Sequence, residues 1–142
     1  MRLSAKSSYA IRALTKLARL SAKGWVKSRT LAEEIAISPD FLAQIILSLK
    51  KAGLIESQRG VGGGIKLAKD PGEINLKQII EAVEGRIALK KCFEDESACA
   101  FYSSCPFAEA LKEGQDQMLE VYEKKTLAQL VQEAHSKFAS QP

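Results

Sequence analysis

Apolar residues near the start of the chain recur with the period of an α-helix. They fall at i, i+4, i+7 and i+8, on Ala10, Leu14, Leu17 and Ala18. This spacing predicts an amphipathic helix over about residues 4–22. The segment 24–28 breaks the pattern and favours a short strand. A second, short helix is predicted over residues 30–37, where Thr30 and Glu33 have the spacing of a capping box.

A third helix has the clearest start signal in the chain. Ser38 suits the N-cap and Pro39 the first helical position, while Asp40 stands at the positive end of the helix dipole. Gly53 supplies the C-terminal stop. An apolar stripe lies between these signals, at Leu42, Ile45, Ile46 and Leu49. The second and third helices are joined by a tight connection. This arrangement predicts a helix-turn-helix.

A glycine-rich stretch follows the third helix. Two β-prone runs, Leu54–Gln58 and Ile65–Ala68, flank the sequence RGVGGG, in which the glycines permit a positive φ. This pattern predicts a β-hairpin whose tip carries Arg59. A helix-turn-helix followed at once by a hairpin is a winged helix.

The second half of the chain predicts three more helices and one irregular segment. The first helix follows a cap formed by Asn75 and Gln78 and ends at Gly85. The irregular segment comes next and is assigned as a loop. A long helix then runs over about residues 106–124, and a last short helix covers 126–138. The tail beyond that helix should fray.

A narrow apolar seam on the long helix favours a dimer contact, with packing on the chain's own core as the alternative. Its glycine costs about 1 kcal/mol against alanine, which is explained if a second helix comes close there. The residues assigned to the dimer interface are Phe107, Leu111, Gly114, Gln115, Met118 and Tyr122. The predicted fold class is mainly α with a small β-hairpin wing, a winged helix-turn-helix plus a long C-terminal dimerisation helix. The expected divisions are a DNA-binding domain over 1–85, a cysteine-bearing cluster loop over 86–105, and the dimerisation and C-terminal helices over 106–142.

Composition and charge indicate where the protein is located and what kind of partner it binds. Hydrophobic residues make up 46% of the 142 residues, which supports a folded core. No apolar run reaches the roughly 18 residues of a membrane span, and the N-terminus lacks a signal-peptide core, so we expect a cytoplasmic protein without a membrane partner. Residues 1–70 carry 13 Lys/Arg against 5 Asp/Glu, and residues 71–142 carry 8 against 12. A basic N-terminal half favours a polyanion as its partner, with a solvated basic surface as the alternative.

All three cysteines of the chain lie close together, in the pattern C-x6-C-x5-C. Thiolates are the ligands of zinc and of iron–sulfur clusters, but a structural zinc site uses a tighter C-x2–4-C clamp. A reducing cytosol argues against a disulfide. The spacing therefore suits a larger cluster, with a thiol redox switch, a labile metal or vestigial cysteines as alternatives.

The chain resembles the Rrf-two family of bacterial transcription regulators. The resemblance covers about residues 1–130 and rests on MRLS, YAIRAL and above all KKAGLIESQRGVGGGIKLAKD, the end of a helix followed by the wing. It implies a homodimer that binds a palindromic double-stranded DNA operator. It also implies that an iron–sulfur cluster, 4Fe-4S or 2Fe-2S, can be held by Cys92, Cys99 and Cys105, although some members of the family carry none.

The third helix of such a protein enters the major groove with its N-terminal residues at the base edges. Gln44 can pair bidentately with adenine, while Phe41 and Ala43 can contact a thymine methyl. Core packing is the alternative for Phe41. The residues assigned to base edges are Ser38, Pro39, Asp40, Phe41, Ala43 and Gln44. The residues assigned to phosphates are Arg2, Lys6, Ser7, Lys27 or Arg29, Ser48 and Lys51.

The wing tip is assigned to the minor groove, which attracts arginine. Arg59 is the main candidate, and Gly60, Gly62 and Gly63 are expected to let the backbone approach DNA closely. The alternative is that the glycines serve only the turn. Three consecutive glycines exceed what a turn needs, which favours the DNA interpretation.

The fourth cluster ligand is open in this sequence. Some relatives place a histidine three residues after the last cysteine, where this chain has Ala108. Others use an aspartate from the first helix of the partner subunit, where this chain has Ser8. Ser8 is therefore the possible fourth ligand, with Glu109, water or a small molecule as alternatives.

These observations predict a DNA-binding transcription regulator, a repressor, that senses iron–sulfur status, redox or nitric oxide. Cluster ligation could order residues 92–105 and change the spacing of the two DNA-reading heads. The alternative is a cluster-free winged-helix regulator that acts through a protein partner or thiol oxidation. An iron–sulfur carrier or scaffold protein is disfavoured by the basic N-terminal half. An enzyme is not expected, because the chain has one histidine and no convergent acid–base set.

Overall fold

The computed structural model describes residues 2–139, and their side chains as far as Lys137. Over these residues the α-helices are α1 (Ala5–Leu20), α2 (Ser28–Glu34), α3 (Pro39–Lys51), α4 (Leu76–Glu84), α5 (Ala108–Lys124) and α6 (Leu127–Ala139). The strands β1 (Ile55–Gln58) and β2 (Gly64–Leu67) form an antiparallel hairpin. The predicted fold class, mainly α with a hairpin wing, is confirmed. The tail that was expected to fray lies outside the described residues.

Two of the predicted helix caps form as expected. The Ser38 hydroxyl accepts the Phe41 N–H at 3.2 Å, and Pro39 occupies the first turn of α3. Asn75 and Gln78 form a reciprocal capping box at the start of α4. These short-range signals fix where the helices on either side of the wing begin.

The predicted cap of the second helix is wrong. The helix α2 begins at Ser28, two residues before Thr30, and Lys27 at its N-cap makes no side-chain cap. It ends at Glu34, because the chain turns through Ala36, whose φ is +55°. That turn places Ile35 and Ile37, on either side of Ala36, against the core.

The core surrounds α1. Its buried side chains Ala10, Leu14 and Leu17 pack in one cluster with buried residues of α3, α4 and the wing. Leu127 at the start of α6 is fully buried in the same cluster, and α6 packs against α1. The last helix thus helps to hold the helix-turn-helix. Among residues 2–139, no helix is both long and apolar enough to cross a membrane.

Candidate nucleic-acid interface and cysteine segment

One face of α3 is open to solvent. The apolar stripe of Leu42, Ile45 and Leu49 is buried, which turns the opposite face outward. The exposed residues at its start and along it are Ser38, Pro39, Asp40, Ala43, Gln44, Leu47, Lys50 and Lys51. The structure therefore places five of the six predicted base-edge residues on one accessible surface.

The sixth, Phe41, is half-buried and packs on α1. Its ring meets Tyr9 edge-to-face, with the ring centroids 5.6 Å apart. This contact favours the core-packing role for Phe41. Nearby, the Lys6 ammonium donates to the Ser48 hydroxyl at 3.2 Å, which in turn donates to the Gln44 carbonyl at 3.2 Å. These bonds hold the start of α1 against the middle of α3.

The assignment of Ser7 to a phosphate is corrected by the structure. Its side chain is fully buried, and its hydroxyl donates to the Glu84 carboxylate at the end of α4. The Ser4 hydroxyl and the Ser4 N–H, the latter at 2.9 Å, donate to the same oxygen. The Ser4 hydroxyl first, and then the Ser7 hydroxyl, hold the pKa of Glu84 below its ordinary value. Ser7 thus ties α1 to α4 and cannot reach DNA.

The wing carries Arg59, Gly60 and Gly62 on its exposed tip, as predicted, but not Gly63. Gly63 is buried, and a Cβ there would lie 2.2 Å from the Gln58 carbonyl oxygen. Its assignment to DNA is therefore wrong, because the backbone of the hairpin itself covers it. Gly63 is therefore needed for the turn of the hairpin itself, which was the alternative interpretation of the glycines.

A segment before α2 adds to the hairpin. Val26 exchanges two backbone hydrogen bonds with Ile65, at 2.9 and 2.7 Å, so the predicted short strand reduces to one bridge. Across this sheet the Lys66 ammonium lies 4.5 Å from the ring centroid of Trp25. The exposed Lys27 donates to the Gly60 carbonyl at 3.3 Å. Lys27 therefore supports the wing tip, and its predicted phosphate contact stays a prediction.

The cysteine segment contains three 3₁₀ turns, Lys91–Phe93, Glu96–Ala98 and Tyr102–Ser104. Cys92 lies in the first turn and is buried. Cys99 and Cys105 follow the second and third turns and are half-buried. All three are free thiols.

The three thiols suit an iron–sulfur cluster by their chemistry but not by their arrangement in this structure. Three unpaired thiols on one short segment suit an iron–sulfur cluster in number and kind. Among residues 2–139, however, no group of three or more His, Cys, Asp or Glu side chains is arranged to hold a metal ion. The residues therefore fit the cluster as donors, and the segment has to rearrange to bring them together.

A cavity of about 320 Å³ lies between the cysteine segment and the helices α4 and α5. Cys92 lines it together with Glu96 and Tyr102 of the same segment. The Glu96 carboxylate raises the pKa of the Tyr102 phenol above its ordinary value, because a phenolate there would face a like charge. Of the three thiols, only that of Cys92 lines this cavity.

The helix α5 packs on α4 through a face that includes Gln115. This side chain is buried, and its amide oxygen accepts the Leu89 N–H at 2.7 Å. Its assignment to a dimer interface is therefore corrected, because the side chain holds the backbone at Leu89, near the start of the cysteine segment. Leu111, Met118 and Tyr122 are half-buried on the same side of the helix.

The side of α5 next to this packed face is uncovered. Phe107, just before the helix, is 50% exposed, and Val121 is 62% exposed. Gly114 lies between them on this face, and a Cβ built on it would meet no atom within 4 Å. The predicted dimer residues thus divide between the face packed on α4 and the exposed face beside it.

The remaining predicted residues lie at the surface. Arg2, Ser8 and Lys51 are exposed, and so is Arg29, whose guanidinium is 3.4 Å from Glu33.

Sequence reasoning missed Leu47 and Glu84. Leu47 could have been found, because it is apolar yet falls outside the stripe of α3. Glu84 gave no such signal, because its partner Ser7 is 77 residues away.

Known proteins resemble this chain over most of its length. A family model described as Rrf2, iron-dependent transcriptional regulator, matches residues 3–133. The transcriptional regulator NsrR of Geobacillus kaustophilus is 33% identical over 137 residues, which cover 96% of this chain and 93% of NsrR. The structure of T. potens IscR matches with a TM-score of 0.73 at 27% identity, covering all of this chain and 94% of IscR. The oxidised form of Staphylococcus aureus CymR matches with a TM-score of 0.70 at 29% identity, covering 92% and 96%.

Proposed function

The chain belongs to the Rrf2 family of DNA-binding transcription regulators, and we propose that it is a repressor controlled by an iron–sulfur cluster on Cys92, Cys99 and Cys105. The observation that carries the proposal is the placement of all three free thiols on the segment between α4 and α5. One of these helices is tied to α1, and the other offers an uncovered face. Iron–sulfur status, redox or nitric oxide is the signal that such a cluster would report.

The DNA contacts follow from the exposed face of α3 and the wing. Gln44 presents an amide that can pair with adenine in the major groove. Lys51 and Arg2 are exposed cations suited to phosphates. Arg59 stands on the tip of the hairpin, where it can enter the minor groove.

The uncovered face of α5 is proposed as the homodimer contact. Apolar side chains of Phe107 and Val121 lie there in solvent, and Gly114 leaves room for close approach of a second helix. The half-buried Leu111, Met118 and Tyr122 border this contact. A dimer would present two copies of α3 to two half-sites of one operator.

The cluster would add a centre that reacts with oxidants and with nitric oxide. The chain's own part is to supply three thiolates and to hold the start of the segment. There, Glu81 accepts the Ile87 N–H at 3.1 Å, and Gln115 accepts the Leu89 N–H. These bonds anchor the entry to the segment while the residues beyond it have to move to bring the thiols together. Ser8, exposed on α1, remains the proposed fourth ligand when supplied by the partner subunit.

Anaerobic purification with iron and sulfide assays tests the cluster. We expect bound iron and acid-labile sulfide in the natural chain and neither in the variant with Cys92, Cys99 and Cys105 changed to alanine. A gel shift on the protein's own promoter then compares the DNA affinities of the protein with cluster and without it. We expect two chains to bind each operator. Absence of iron and sulfide from the natural chain would contradict the proposed cofactor while leaving DNA binding open.

The wing arginine gives a second test. Arg59→Ala is expected to weaken operator binding about tenfold, because one minor-groove contact is lost. The slope of log affinity against log salt should fall by about 0.9 if the same charge neutralises one phosphate. Arg59→Lys is the matched control: it keeps the charge, so the salt slope should stay while part of the affinity is lost. Equal affinity of all three proteins would remove Arg59 from the interface.

A second candidate is a cluster-free regulator that works through thiol oxidation or a protein partner. The dispersal of the thiols over three turns favours it, since no metal-binding group is formed among the described residues. The similarity to an oxidised form of CymR points the same way. Colourless protein whose triple alanine variant binds DNA equally well would favour a protein partner, and a response of the natural chain to peroxide would favour oxidation.

A further inference from the structure

An apolar side chain occupies the centre of the exposed face of α3. Leu47 is 54% exposed, although every other large aliphatic residue of the helix is buried or half-buried. It faces away from Leu42 and Leu49, which are buried at 0% and 1% exposure. Packing within the chain therefore does not explain why a leucine stands here.

The neighbours of Leu47 on this face show what it would meet. Ala43 and Gln44 lie one turn before it and Lys51 one turn after it, all of them exposed. The face thus presents a methyl group, an amide and a cation on either side of the leucine. A surface of this kind suits a partner that combines negative charge, hydrogen-bonding edges and a small apolar group.

The major groove of DNA offers that combination. Its only apolar group is the C5-methyl of thymine, and its base edges and phosphates supply the rest. Resting on the proposed DNA binding, we propose that Leu47 is a specificity-determining residue that contacts a thymine methyl in each half-site. Gln44 would then read a base one helical turn away, and Lys51 would lie toward the backbone.

Charge complementarity favours DNA over an apolar protein groove as the occupant. Exposed lysines and an arginine border the helix-turn-helix and wing, at Lys27, Lys51 and Arg59. Residues 1–70 carry a balance of +8, from 13 Lys/Arg and 5 Asp/Glu. A protein partner docking on Leu47 would have to approach through this positive field.

The test uses the full-length protein and duplexes obtained by in vitro selection from a randomised library. In the best duplex, each thymine is replaced in turn by deoxyuridine, which removes only the methyl group. We expect one position per half-site at which the natural chain loses about fourfold in affinity, the value for one buried methyl-sized group. Leu47→Ala should bind less tightly and lose nothing further at that position.

Leu47→Met serves as the conservative control, since it should keep the sensitivity to the methyl group. Both substitutions are on an exposed helix surface, and thermal melting verifies that the variants are folded. An identical deoxyuridine profile for the natural chain and Leu47→Ala would overturn the role of Leu47 alone. Failure of the natural chain to select any sequence would instead overturn the proposed DNA recognition, and this role with it.

Discussion

Gly64→Ala is expected to disrupt the wing and to weaken operator binding. Gly64 has a φ of +155°, which L side chains rarely adopt. A Cβ at this position would lie 2.3 Å from the carbonyl oxygen of Val26 and 2.7 Å from its carbonyl carbon. The backbone of Val26 cannot move aside easily, because it makes two hydrogen bonds with Ile65. The methyl group therefore forces apart the bridge that holds the hairpin to the helices.

The size of this effect follows from two contributions. Backbone strain costs about 1–3 kcal/mol, and a steric overlap that has to be relieved costs about as much again. We expect the free energy of unfolding in urea to fall by about 3 kcal/mol. Operator affinity should fall as well, because Arg59 loses its fixed position.

Gly60→Ala is the matched control for the clash. Gly60 has a φ of +96°, but a Cβ built on it would meet no atom within 4 Å. The control therefore carries backbone strain without overlap and should lose about 1–2 kcal/mol. If both variants lost the same stability, strain alone would explain the effect and the close approach to Val26 would be unimportant.

Local signals in the sequence were sufficient where a cap or a stop acts within a few residues. Ser38 and Asn75 cap their helices as predicted because donor and acceptor lie three residues apart. The helix start predicted at Thr30 was wrong, although Thr30 has the same spacing to Glu33, because the helix already begins at Ser28. A cap motif predicts a helix start only when nothing nearer allows the helix to begin earlier.

Contacts between distant parts of the chain explain the errors in the site. Gln115 looked like a member of an outward seam, yet it is buried because the Leu89 N–H, 26 residues away, needs an acceptor. Gly63 looked free for DNA, yet the strand before it closes over it. Residue spacing gives the period of a helix but not which face a later segment will cover.

Glu84 occupies a position that makes such a long-range contact important. It ends α4, directly before Gly85 and the cysteine segment. Its carboxylate accepts hydrogen bonds from Ser4 and Ser7 at the start of α1. The same turn of α1 carries Lys6, which bonds to Ser48 on α3. One carboxylate therefore joins the end of α4 to the helix that braces the DNA-reading surface.

Replacing Glu84 by leucine is expected to lower the free energy of unfolding by about 1–3 kcal/mol, because the buried Ser7 hydroxyl loses its acceptor. Ser7→Ala in the same background should restore part of that loss, since it removes the buried group that has no partner. Urea unfolding of both single variants and the double variant gives the coupling free energy. Strictly additive losses would show that Ser7 finds another acceptor, such as water.

The same contact should depend on pH. The pKa of Glu84 is lowered in the folded chain, first by the Ser4 hydroxyl and then by Ser7, so the folded state favours the charged carboxylate. Its contribution to stability is therefore fully present above the unfolded value of about 4.3 and is lost as the pH falls through the lower folded value. Glu84→Gln keeps an acceptor without the charge, so it should be less stable than the natural chain near neutral pH. The difference between the two should shrink below about pH 4. A difference that stayed constant down to strongly acidic pH would assign the loss to side-chain shape and exclude the charge as its cause.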